Sequence, residues 1–271
     1  RRRKSEIMPS AAALRLTIER SLERTFPAAL TPVPRAVREV AATGVTAVDA
    51  QLEGGLPVGA ISELIGPRSS GRTTLALAFA ARCTAEGRAC AWIDVNDAFD
   101  PESAAAGGVL LSQLLWVRCS DAAAPGKAAR WTRLDQALRA TDLLLQAGGF
   151  SCLVLDLGDT PREQAHRIPL ATWFRYRQAA ERTRCSLLVL GQAACAQSAA
   201  AVVLECRPAR AITAGETALR GFRFELQRRR ERFAPIVLAH QPGSPTGSHA
   251  SGKPPASTWP ADAAWDREKR A

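Results

Sequence analysis

At 271 residues with 46% hydrophobic side chains, the chain has material for one large α/β domain with appendages. A formal charge of +10 and a pI near 10 point to polyanionic partners, nucleic acid first among them, and say nothing about fold. No apolar run approaches the ~18 residues of a membrane span, no export signal is recognisable, and seven scattered cysteines form no CxxC pair, so a reducing cytoplasm is expected.

The chain begins RRRKSEI and its only methionine is Met8, which is the expected true start. From Pro9 to Thr25, Leu14, Ile18, Leu22 and Thr25 share one helical face opposite Arg15, Glu19 and Glu23, which predicts a short amphipathic helix. Pro27, Pro32 and Pro34 then forbid a continuing helix and predict an extended linker, so residues 1–43 are expected to form an appendage. That appendage either folds back on its own domain or docks on a neighbour.

Residues 44–240 alternate strand-like and helical patterns. The apolar runs AISELIG (Ala60–Gly66), ACAWIDV (Ala89–Val95), LLWVRC (Leu114–Cys119), CLVLDL (Cys152–Leu157), SLLVLGQ (Ser186–Gln192) and AVVLECR (Ala201–Arg207) read as strands. Helical patterns cover Thr73–Glu86, Trp131–Ala147 and Ala165–Arg182. Continuously apolar strands alternating with helices predict an α/β fold, a mostly parallel sheet with helices on both faces. FRFELQ (Phe222–Gln227) and PIVLAH (Pro235–His240) read as an antiparallel addition at one edge. Residues 241–271, rich in Pro, Gly, Ser and Ala, are expected to be a disordered tail; its Trp259 and Trp265 are either incidental or part of a short partner-docking peptide.

The chemistry concentrates in GPRSSGRTT, made of Gly66, Pro67, Arg68, Ser69, Ser70, Gly71, Arg72, Thr73 and Thr74. It follows a strand and opens a helix, where backbone N–H groups can face phosphates and the Thr73 hydroxyl can ligate Mg²⁺. CLVLD supplies the matching strand, which ends in Asp156, a carboxylate suited to hold the same ion through water. The departure is Arg72, standing where such a loop carries Lys.

The segment Gly44–Pro101, with GGLP before the loop strand and DAFDP after the next, resembles the RecA recombinase family nearly position for position, and weaker likeness runs to His240. The resemblance implies a RecA-type P-loop core that binds ATP and Mg²⁺, with Asp100 near the base and Gln192 as the switch residue. Several positions depart from it. Asn96 stands where the family has the Glu that polarises water, and an amide is no general base, so weak or absent hydrolysis is expected. Arg72 keeps the charge but is larger and planar. Ser103 replaces the Tyr that stacks on adenine, which leaves the pocket weak or vestigial. The segments after Asp156 and Gln192, which carry the family's DNA-binding loops, are short, so DNA binding is expected to be weak or indirect.

QRRRERFAP resembles the segment whose two basic residues reach a neighbour's nucleotide; with a one-residue gap these are Arg230 and Arg232, and without it Arg229 and Glu231. The whole pattern looks like the ImuA type of RecA-related protein. That likeness implies a non-catalytic adaptor in damage-induced translesion synthesis, with a Y-family polymerase-like protein, an error-prone C-family polymerase and RecA itself as partners; the lack of a long apolar run adds the expectation of no membrane. A DNA-stimulated ATPase of recombination, with Asp94 or Asp97 positioning water, is the alternative; a P-loop kinase of small molecules fits the recombinase-like segments least.

Overall fold

Strands that are apolar on both sides demand cover on both faces, and the fold supplies it. The computed structural model describes residues 37–120, 131–214, 218–231, 234–235 and 256–262. The predicted helix at 9–25, the linker, Arg232 and Trp265 lie outside them.

In chain order the strands are β1 (Val37–Arg38), β2 (Val40–Ala41), β3 (Leu56–Pro57), β4 (Ile61–Ile65), β5 (Cys90–Asp94), β6 (Leu114–Arg118), β7 (Cys152–Asp156), β8 (Ser186–Gly191), β9 (Val202–Ala214), β10 (Ala218–Glu231), β11 (Ala234–Pro235) and β12 (Ala256–Asp262). The α-helices are α1 (Thr46–Gln51), α2 (Arg72–Ala85), α3 (Pro101–Ala106), α4 (Arg133–Ala147), α5 (Arg162–His166) and α6 (Leu170–Thr183). The main sheet has eight strands in the order β12-β10-β9-β4-β8-β7-β5-β6. From β9 to β6 all neighbours run parallel, while β10 and β12 add antiparallel at one edge. The expected class, a mostly parallel α/β sheet with an antiparallel edge addition, is the one found.

Side-chain alternation explains why these strands read as unbroken apolar runs. Leu64, Trp92, Val154 and Leu188 join Leu75 and Phe79 of α2 in one core. Ile61, Ile93, Leu155 and Val189 join Trp173 and Tyr176 of α6 in the other. Both faces are therefore dry, and all seven cysteines are buried free thiols within them.

Four expectations need correction. The single helix at Ala165–Arg182 is two, α5 and α6, because Pro169 at the start of α6 has no N–H and biases Ile168 out of the helical region. β9 and β10 extend well past the apolar runs that signalled them, since a two-stranded edge ribbon needs apolar residues only where it covers the core. Of PIVLAH only Pro235 is described, in β11, which pairs with β1 outside the main sheet, while residues 236–240 lie outside the described residues. Within the tail expected to be disordered, Ala256–Asp262 forms β12, whose ladder to β10 sets Trp259 opposite Phe224.

Candidate nucleotide site

The candidate phosphate loop, Gly66 to Thr74, lies at the carboxyl end of β4, between the sheet and α2, where parallel sheets put their ligand crevices. The loop closes through Gly71, whose φ of +84° suits glycine and whose missing Cβ lets the Phe224 ring approach, the ring Cγ lying 2.8 Å from where that atom would be. Phe224 is brought there by an irregularity in the β9–β10 ladder, where Arg223 pairs with Arg210 and Glu225 with Arg207, so Phe224 faces the extra pair Pro208–Ala209. Freed from the ladder, the Ala209 N–H donates to the Ser69 carbonyl at 3.1 Å and fastens the loop to β9.

Arg68, Ser69, Arg72, Thr73, Asp100 and Asp156 all line one cavity of about 350 Å³, together with Asn96 and Ser103. Arg72 is only 9% exposed, and its Nη1 is buried without a hydrogen-bond partner among the described residues. The buried Ser70 hydroxyl is likewise without one. These two orphaned donors beside a run of loop amides fit an oxyanion such as a phosphate. Thr73 is exposed at the helix start and Asp156 lines the same cavity, so a magnesium ion would find the Thr73 hydroxyl as a ligand and the Asp156 carboxylate as a charge to hold it through water.

Asp156 is the most perturbed acid of the site. Burial pushes its carboxyl up to about 6, the neighbouring Asp94 carboxylate adds to the rise, and the Gly158 N–H and Arg72 oppose it. The cause is topological, because β5 and β7 run parallel and pair Asp94 directly with Asp156. Asp94 is no spare base: its two oxygens accept the Asn96 N–H at 3.2 Å and the Phe99 N–H at 2.8 Å.

Asn96 has a structural duty. Its side-chain amide donates to the Leu157 carbonyl at 2.9 Å and sits 2.5 Å from where a Cβ on Gly158 would stand. Asp97, at φ +58°, turns away from the cavity and holds Arg118 through two bonds of 2.7 Å, which keep its carboxyl below the usual range. Asp100 caps α3, accepting from the Glu102 and Ser103 N–H groups and from the Ser103 hydroxyl, which lowers its pKa. Asp159 pairs with Arg68 of the loop, and that contact holds its carboxyl down, with Gln192 also bonding to it. Among the carboxylates lining the cavity, each therefore has a hydrogen-bonding or ion-pairing partner.

The other expected residues sit elsewhere. Arg230 donates to the Gln197 and Ala200 carbonyls of its own chain, and Arg229 pairs with Glu205. Trp259 belongs to the edge strand. Composition gave no notice of Asp159 or of the Phe224 contact. Glu63 was visible as the one acid inside the apolar run AISELIG; it is fully buried and accepts the Cys195 and Ala196 N–H groups at 2.6 and 2.9 Å, anchoring the segment after Gln192 to β4. No described helix is long and apolar enough to cross a membrane.

Comparison with known proteins points to one family and one fold. The family model of the RecA N-terminal domain matches residues 15–161. Protein RecA of Psychrobacter arcticus is 37% identical over 119 residues, a match that covers 44% of this chain and 30% of that protein. The crystal structure of the RadB recombinase superposes with a TM-score of 0.51 at 19% identity, covering 71% of this chain and 90% of that one, a likeness of fold. With a family match that runs through the phosphate loop and past Asp156, the chain belongs to the RecA N-terminal domain family.

Proposed function

We propose that the chain is a RecA-like accessory protein of DNA repair, an adaptor in damage-induced translesion synthesis whose nucleotide pocket binds phosphate weakly and turns nucleotide over slowly or not at all. The observation that carries this reading is the state of the cavity's acids and amide. Asn96 stands at the place of the water-polarising Glu and is committed to the Leu157 carbonyl, while Asp94, Asp100 and Asp159 have their own partners. General-base catalysis needs a carboxylate within reach of water, and those lining the cavity are held by other groups.

When ATP is bound, a magnesium ion neutralises charge on its phosphates. The chain's own part is to offer loop amides and Arg72 to the phosphates, and Thr73 and Asp156 to the ion. Arg72 brings a planar fork to a site that such loops fit with a compact ammonium, so it suits binding better than transition-state geometry. The partners expected for the adaptor are a Y-family polymerase-like protein, an error-prone C-family polymerase and RecA. The basic charge supports proximity to DNA, and the short segments after Asp156 and Gln192 support weak or indirect contact with it.

A second reading, a DNA-stimulated ATPase of recombination, draws on Thr73 and Asp156 facing the same cavity. Turnover of ATP with Mg²⁺, with and without single-stranded DNA, separates the two. The adaptor reading expects no DNA-stimulated turnover, together with co-purification with the polymerase partners; DNA-stimulated turnover would replace it with the second reading. Arg72→Lys combined with Asn96→Glu should raise hydrolysis above either single change. Because Asn96→Glu also removes the donor to Leu157, a gain from the pair that merely equals Arg72→Lys would place the defect in that lost strut.

A further inference from the structure

The phosphate loop borders a second cavity, also about 350 Å³, on the β10 side of the loop. Its floor is Ser70, Gly71 and Arg72 with the start of α2, and its far wall is Ala209, Phe222 and Phe224. The volume falls at the lower end of small-molecule sites, which run from roughly 300 Å³ upward. The two rings play different parts. Phe224 is buried against Gly71, whereas Phe222 is 41% exposed and stands 6.4 Å from it, centroid to centroid, two residues along the same strand. Leu219, Arg220, Arg223 and Arg229 of the same strand are exposed too, but of its aromatic rings Phe222 is the exposed one, and it borders the cradle. The cradle itself holds two orphaned buried donors, Ser70 Oγ, on a side chain 1% exposed, and Arg72 Nη1.

The opposite side of the loop offers no comparable platform. Ser103 has no ring, and its hydroxyl is bound to Asp100. Phe99 lines that cavity but packs against Trp92 at 5.0 Å and Trp116 at 5.3 Å, so its ring belongs to the aromatic core. A nucleotide whose phosphates lie on the loop thus finds an accessible aromatic face in only one direction among the described residues.

We propose that this chain binds nucleoside diphosphates and triphosphates with the base stacked on Phe222, on the β10 side of the phosphate loop. This rests on the reading of the loop as a phosphate binder, and is independent of the adaptor role. The Phe222 ring carries no hydrogen-bonding group, so stacking on it tolerates any base. The site should therefore discriminate poorly between adenine and guanine.

The test is calorimetric titration of the full chain with ADP and with GDP in the presence of Mg²⁺, for the parent protein and three variants. Phe222 is exposed, so Phe222→Ala should fold, and its melting temperature checks that it does. Loss of base stacking is expected to weaken ADP roughly five-fold or more in Phe222→Ala, while Phe222→Tyr stays within about two-fold of the parent. Ser103→Tyr restores a ring on the α3 side and should bring no gain in ADP affinity, and GDP should bind about as well as ADP. Unchanged ADP affinity in folded Phe222→Ala, or a clear gain from Ser103→Tyr, would overturn the proposal by placing the base on the α3 side. Absence of any binding to the parent would overturn it as well, and would leave the adaptor reading standing, because that reading is judged by partner co-purification and turnover.

Discussion

Asp156→Asn should stabilise this protein at alkaline pH and leave it nearly unchanged in acid. The exposed carboxyl titrates at its ordinary 3.8, and burial beside Asp94 raises it to about 6 in the folded chain. The folded state therefore binds the Asp156 proton more tightly than the unfolded state between these values, so stability falls as pH rises through that window and is constant above it. A gap of about 2 pH units corresponds to about 3 kcal/mol. Because Asp156 is only 8% exposed, solvent screening removes little of this. Asparagine has no proton to lose and keeps an oxygen to accept the Gly158 N–H, which lies 2.9 Å from Oδ1. Urea unfolding followed by tryptophan fluorescence, with chelator present, should show the variant more stable by up to about 3 kcal/mol near pH 8 and by little near pH 4. Titrating groups remote from Asp156 are common to both proteins and drop out of the difference, whereas relief of Asp94 acts in the same direction as relief of Asp156. A difference that is the same at both pH values, or a variant less stable near pH 8, would refute the claim that burial, with Asp94 beside it, raises the Asp156 carboxyl.

Other consequences are open to simpler measurement. Glu63→Ala strands the Cys195 and Ala196 N–H groups in a dry core and should cost about 2 kcal/mol or more in urea unfolding, since each buried unpaired donor costs roughly 1–3 kcal/mol. Gly71→Ala must hold an L-residue at φ +84° and push Phe224 aside; a loss of at least about 1–2 kcal/mol and weaker nucleotide binding are expected, and a melting temperature equal to the parent's would contradict the contact. Burial raises the thiols of Cys119 to about 11 and Cys206 to about 12, so a thiol-reactive dye should label the native chain very slowly and all seven cysteines once urea unfolds it.

What was legible in the sequence was what is local. The phosphate loop shows itself because glycine positions, a preceding apolar strand and a following helix all lie within one short stretch, and Ile61–Ile65 and Arg72–Ala85 form as that pattern requires. The parallel sheet was legible because strands buried on both faces have no polar face, as in Cys152–Asp156 and Ser186–Gly191. Asn96 and Arg72 could be named as departures before any coordinates, since identity alone carries them. Their surroundings could not. That Asn96 holds the Leu157 carbonyl, that Asp94 lies beside Asp156, that Arg68 reaches Asp159 and that Phe224 presses on Gly71 all depend on strand order and ladder register. Register joins residues far apart in the chain, and no local propensity encodes the partner. The sequence by itself determined the layers and the loop. The tertiary structure alone decided which acid is raised, which carboxylates are already engaged, and on which side of the loop an aromatic ring waits, because each of these is a contact between segments that meet only when the sheet has closed.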